Sequence, residues 1–345
     1  MADIKRNTNI DFLRIVCMMM VVSMHYFGWG GVNDSPETSQ LNFILASGIG
    51  VFCRVAVNCF YMISGYFIKE NSEEVSFSQI IKSIVKQYKK IWFYSIFLFL
   101  LGYVLSLNSF SWKGLLGALM HIMSNQWWFM TIFIFLLCLK PYIAKLLVKM
   151  TNKELIILMS CIFFFDSVQT TVGVNGFGER GAGIMHACFM LVVGYAVHRI
   201  EVYRVGKIMA LGIYVISCTA AGVFAIIEKK VLMEADASAI YYNSPLIIIA
   251  SLSFFVFFLN LNCICKWASR IAPYVLAIYL LNDHVLLRNN MYENILHCSQ
   301  FYRSNLMLIH WGICVIGFSI FGIITDFTFT QIYKKITSSL RRRFR

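Results

Sequence analysis

The sequence predicts an all-α protein, a polytopic helix bundle that crosses a membrane about ten times with both termini in the cytoplasm. Three observations predict it. Hydrophobic residues make up 59% of the chain and charged residues only 14%, against about 25% charged in a soluble domain. Apolar runs near the roughly 20 residues that a spanning helix needs recur from one end of the chain to the other. Lysine and arginine are distributed unevenly over the connections between those runs.

The runs lie at about 10–28, 43–68, 91–108, 127–147, 154–170, 181–198, 208–227, 243–262, 271–287 and 305–328. The first lacks a small-residue cleavage site and continues into Tyr26, Phe27 and Trp29, so it reads as a retained span rather than a signal peptide. Placing the N-terminus inside puts 21 of the 30 lysines and arginines on inside segments. Only Lys113, Arg180, Lys229, Lys230, Arg288 and Arg303 then fall outside, while Arg14, Arg54 and Lys140 sit within spans. Positive charge on the inside segments is what fixes orientation in a cell membrane. The chain thus divides into a transmembrane domain, 1–328, and a basic cytoplasmic tail, 329–345. The net charge of +13 reflects this topology and contact of the tail with anionic lipids. No basic soluble module exists to bind nucleic acid.

Two patterns that carry chemistry elsewhere carry little here. Cys263 and Cys265 share a loop read as cytoplasmic, where disulfides do not persist, and the loop offers no further ligands for a metal ion. No metal is expected. Gly176, Gly178 and Gly181 spell GxGxxG, but a dinucleotide fingerprint needs a strand before it and a helix after it in a parallel sheet. These glycines fall in an outside loop between spans.

Polar residues at membrane depth are costly and usually functional. In the first span Arg14 and His25 are eleven residues apart, and eleven steps of 100° return to within about 20° of the start, so they share a face about 16 Å apart along the axis. Asp11 precedes Arg14 by three residues and can pair with it across one turn. A snorkelling arginine and a histidine bonded to a neighbouring helix would explain each residue alone; their shared face favours a polar path. The second span adds Arg54, Asn58 and the small pair Ser64-Gly65, for which close helix packing is a sufficient account. Lys82, Lys86, Lys89 and Lys90 follow on a basic amphipathic stretch. They suit either lipid headgroups or the phosphates of a large anionic cofactor.

The segments NIDFLRIVCMMMVVSMHYF, NCFYMISGYFI, KQYKKIWFY, WWFMTIFIFLLCLKPYI and IYLLNDHVLLR together resemble the membrane-bound acyltransferase-3 family over nearly the whole length. The resemblance implies transfer of an acyl group, acetyl by default, from cytoplasmic acetyl-CoA or another acyl-CoA to a hydroxyl of a surface glycan or polysaccharide. The acyl-CoA is then a donor substrate, and no tightly bound cofactor is expected. His25 matches the motif histidine and is expected to serve as general base or as a transient acyl carrier. Arg14, with Asp11 beside it, completes the expected catalytic group. Arg54, Lys86, Lys89 and Lys90 are expected to bind the donor, with lysines standing where the family carries arginines. Ser64, Trp128, Asn282 and His284 are candidates for the substrate path, although an interfacial aromatic belt explains Trp128 almost as well. Asn282 departs from the pattern, since the family's histidine is expected there and His284 stands two places later. A separate extracytoplasmic partner would complete the transfer if this chain does not. A transporter of a small polar solute or glycan, or a non-enzymatic sensing domain of the same fold, are the competing classes.

Overall fold

A computed structural model describes residues 8–69, 77–106, 109–124, 126–172, 179–231, 237–262, 265–285 and 287–343. Among these every regular element is helical and none is a strand. Lys5, Cys263, Gly176 and Gly178 lie outside the described residues.

The first apolar run becomes α1, Thr8–Gly28, with Asp11 in its first turn and His25 in its last. Ser39 opens α2, Gln40–Cys53, by accepting a bond from the Asn42 N–H, which satisfies a backbone donor that the helix start leaves free. Arg54 separates α2 from α3, Val55–Tyr66, yet its backbone keeps helical angles, and the two form one continuous 27-residue segment, Gln40–Tyr66. The lysine cluster lies on the first half of α4, Phe77–Val104. The expected basic stretch and the third apolar run are thus a single 28-residue helix. After the short α5, Trp112–Leu119, comes α6, Trp128–Lys149, which contains Pro141.

A capping box between Thr151 and Glu154 starts α7, Asn152–Phe163. It passes through a π-helical turn, Phe164–Val168, into α8, Gln169–Thr171. The following elements are α9, Ile184–Arg199, α10, Lys207–Lys230, and α11, Pro245–Leu259. Then come α12, Lys266–Ile271, α13, Leu276–Asn282, α14, Arg288–Asn290, and the 37-residue α15, Met307–Arg343.

Each expected run contains helix, but the count of ten is not reproduced by helix length. Among the described residues seven helical segments are long and apolar enough to span a membrane, with the 16-residue α9 as a shorter apolar helix. The clearest difference is the run at about 271–287. It is broken into a 3₁₀ turn, Ala272–Tyr274, and the seven-residue α13, which at 1.5 Å per residue is about 10 Å long. Pro273 within that turn has no N–H to give to a continuous helix.

Packing depends on small residues where helices cross. A Cβ on Gly65 of α3 would lie 1.8 Å from the Leu191 carbonyl oxygen, and one on Gly194 of α9 would lie 2.1 Å from that of Met62. The backbones of α3 and α9 therefore touch in a way only glycine permits. At Gly181, φ is +79° and a Cβ would meet the Asn243 amide at 2.5 Å. This glycine serves a tight turn against the loop before α11. Helix α1 is central, in contact with α2, α3, α11, α12, α13 and α15.

Candidate functional site

The central position of α1 matters because a cavity of about 800 Å³ opens along it. Arg14 and His25 both line this cavity, with the apolar Met18, Val21 and Met24 between them. Ser64 of α3, Lys86 and Lys90 of α4, and Trp128 of α6 share its wall. Six candidates named from sequence thus surround one space.

Arg14 is anchored rather than free to snorkel. Its Nη1 donates to Asp11 Oδ1 at 2.9 Å, and Ser269 Oγ donates to the other carboxylate oxygen at 2.7 Å. Asp11 is buried and Arg14 about one-third exposed. The carboxylate satisfies the buried side of the charge and leaves the guanidinium facing the cavity.

At the other end of α1, His25 Nδ1 makes a short hydrogen bond with Asn282 Oδ1. An amide oxygen only accepts, so Nδ1 carries the proton. In the neutral ring this leaves a lone pair on Nε2. Asn282 is itself fixed, because its Nδ2 donates to the Tyr292 hydroxyl at 2.6 Å. The break in the ninth run has a local consequence here: Asn282 is the last residue of α13, and a short helix ending at this depth delivers its amide to the ring.

Lys90 is also paired. Its Nζ lies 2.5 Å from Asp326 Oδ2, while the Tyr94 hydroxyl donates to Asp326 Oδ1 at 3.0 Å. Lys90 also approaches the Pro273 carbonyl at 3.4 Å. Pro273 is four residues past Ser269, so the lysines stand at the Asp11 end of α1. Lys86 and Lys334 line the same cavity.

The remaining candidates lie off the wall. Lys89 is exposed and is not a lining residue. Arg54 sits 5.4 Å from the ring centre of Tyr242, and Tyr242 in turn stacks on Trp128 at 5.9 Å. Both rings line the cavity, so Arg54 touches it only through an aromatic pair. Asn282 acts through His25 as described. His284 is buried away from the cavity, in a short contact with the Gln126 amide, whose Oε1 accepts from Ser95 Oγ at 2.7 Å.

Sequence reasoning missed Asp326, Tyr242, Tyr279 and Tyr292, and it missed a second polar network. His186 Nδ1 lies 2.6 Å from Asp166 Oδ2, and its Nε2 is 2.9 Å from Asn58 Oδ1. Asn58 Nδ2 donates to the Tyr242 carbonyl at 2.9 Å, which ties this fully buried network to the cavity wall. Asp326 and Asp166 are lone acids near the ends of apolar runs, and that was a usable signal. Which aromatic rings would converge on the cavity had no signal in the sequence.

Several long apolar helices around an internal cavity define a multi-pass membrane protein. The chain belongs to acyltransferase family 3: the family's acyltransferase domain matches residues 7–329, nearly the whole sequence, and the protein is an acyltransferase. Comparison with curated proteins and with solved structures finds no match.

Proposed function

We propose that this protein transfers an acyl group, acetyl by default, from cytoplasmic acyl-CoA to a hydroxyl of a surface glycan, using His25 as general base. The observation that carries the reading is a single cavity with cations at one end and His25 at the other.

The charge asymmetry of the loops supports placing the Asp11 end of α1 at the cytoplasm. Lys86, Lys90, Lys334 and Arg14 then meet the phosphates of the donor as they enter. His25, held by Asn282 with Nε2 as acceptor, takes the proton of the acceptor hydroxyl. The hydroxyl oxygen bonds to the thioester carbon, the C–S bond breaks, and the thiolate of CoA leaves and is reprotonated. A buried site strengthens every such electrostatic contact, because little water competes.

Purified protein in lipid nanodiscs, given radiolabelled acetyl-CoA and de-O-acylated surface polysaccharide, should label the polysaccharide. His25→Ala should lower the rate by about 10²–10⁴-fold, the usual loss when a general base is removed. Near-normal labelling by His25→Ala would overturn the assignment of the base, and an inert wild-type protein would overturn the reading itself.

A further inference from the structure

Immediately beyond His25 stands a group of three residues that the mechanism above does not use. Trp29 follows His25 by four residues, in the turn just past the end of α1. Asp283 follows Asn282, the residue that holds the His25 ring. Trp29 Nε1 donates to Asp283 Oδ1 at 3.2 Å, and Arg288 Nη1 pairs with the same oxygen at 3.3 Å. The Arg288 guanidinium lies 3.7 Å from the centre of the indole ring. Trp29 is nevertheless 42% exposed.

An interfacial belt tryptophan needs none of this. Here an indole is fixed by a hydrogen bond through its nitrogen and by a cation against its ring, and it still presents surface outward. Arg288 spends one Nη1–H on Asp283 and keeps further donors in its planar fork. Asp283 is nearly buried and holds the pair in place, while the Arg288 side chain is 23% exposed and presents its remaining donors.

We infer that Trp29, Asp283 and Arg288 form the acceptor subsite, binding a pyranose ring that carries adjacent hydroxyls. This rests on the proposed function and names the residues that would present its acceptor to His25. The apolar C–H face of a pyranose packs on the exposed indole surface through dispersion. Its hydroxyls accept from the guanidinium, which Asp283 holds against the ring. Asp283 directly follows Asn282 and Trp29 stands four residues past His25, so the bound ring lies close to the His25–Asn282 contact.

The test is binding of short neutral oligosaccharides, cut from de-O-acylated surface polysaccharide, to the protein in nanodiscs by calorimetry without donor. Wild type should bind, and Trp29→Ala should weaken binding by roughly tenfold or more, a loss of about 1.4 kcal/mol. Trp29→Phe should restore part of the affinity, and Arg288→Gln should weaken it without removing the aromatic ring. In turnover, the acceptor KM should rise in these variants while the donor KM stays within about twofold. Equal binding by wild type, Trp29→Ala and Arg288→Gln overturns the subsite, as does no binding by wild type. Because binding is read without acetyl-CoA, failure of the subsite is distinguishable from failure of the acyl-transfer reading, which shows instead as absent acetyl-CoA turnover.

Discussion

Replacing Asn282 tests whether the orientation of His25 matters as much as its presence. In Asn282→Leu the part-buried His25 Nδ1–H loses its acceptor and the buried Tyr292 hydroxyl loses its donor. A buried donor without a partner costs about 1–3 kcal/mol, which should appear as a lower unfolding temperature in detergent. The catalytic loss is separate. Without the amide oxygen the imidazole no longer favours the Nδ1–H tautomer, and it can turn away from the acceptor. A misplacement of about 1 Å is worth on the order of 10²-fold in rate, so kcat should fall by roughly 10–10²-fold. Asn282→Asp separates the two effects. A carboxylate still accepts from His25, and the Tyr292 hydroxyl can turn from acceptor to donor, so this variant should keep more of the rate than the leucine variant. The assay is initial-rate acyl transfer in nanodiscs at saturating donor, beside thermal unfolding. A positioning residue should add little once its histidine is gone. In a His25→Gln background Asn282→Leu should therefore cost less than about twofold. Wild-type kcat in Asn282→Leu, or an equal loss in both backgrounds, would refute the reasoning.

Two further outcomes follow from contacts elsewhere. Gly65→Ala places a methyl 1.8 Å from the Leu191 carbonyl oxygen, whereas a methyl on Gly50 meets nothing within 4 Å. Overpacking of this kind costs about 1–3 kcal/mol, so Gly65→Ala should unfold at a clearly lower temperature than Gly50→Ala, and equal midpoints would contradict the close α3–α9 crossing. Asp326→Asn removes the charge that pairs with Lys90. It should lower the donor KM and steepen its salt dependence, because a released ammonium attracts phosphate through a screenable field, and an unchanged KM would place Lys90 outside donor binding.

Much of the fold was legible because a membrane imposes a coarse rule: each span needs a long apolar run whose backbone bonds are internal. Every run identified in the sequence contains helix. The rule fails at about 271–287, where apolar composition continues but the helix does not. Pro273 interrupts it, and the buried Asn282, Asp283 and His284 find partners elsewhere in the chain instead of continuing the turn. Composition records that such a segment is buried, not that it is broken. The site was legible in the same partial way. Periodicity placed Arg14 and His25 on one face because both belong to one helix. Asp326 and Tyr242 come from elements hundreds of residues further along the chain, and nothing local in the sequence brings them to α1. Lys89 shows the converse, since its neighbours Lys86 and Lys90 are four apart and share a face that Lys89 does not.

The shape of the cavity also bears on which donor chemistry fits. Arg14 and His25 are separated by about 16 Å of helix, and the side chains between them on the wall are Met18, Val21 and Met24. A compact anionic donor, such as a small acyl phosphate, would have to leave the cations before its carbonyl reached His25, exchanging paired charge for an apolar wall. Moving a charge from its partners into such surroundings is costly enough to oppose the reaction. A donor with its charges at one end and its reactive carbon at the end of a long, nearly neutral arm has no such conflict. Its phosphates can stay with Lys86, Lys90 and Lys334 while the arm lies along the methionines and the thioester reaches His25. This favours a CoA thioester over a small activated acid. Under the proposed function the apolar middle of the cavity has a purpose: the methionine side chains are unbranched and adaptable enough to close around a flexible arm and would keep water from a thioester as it passed.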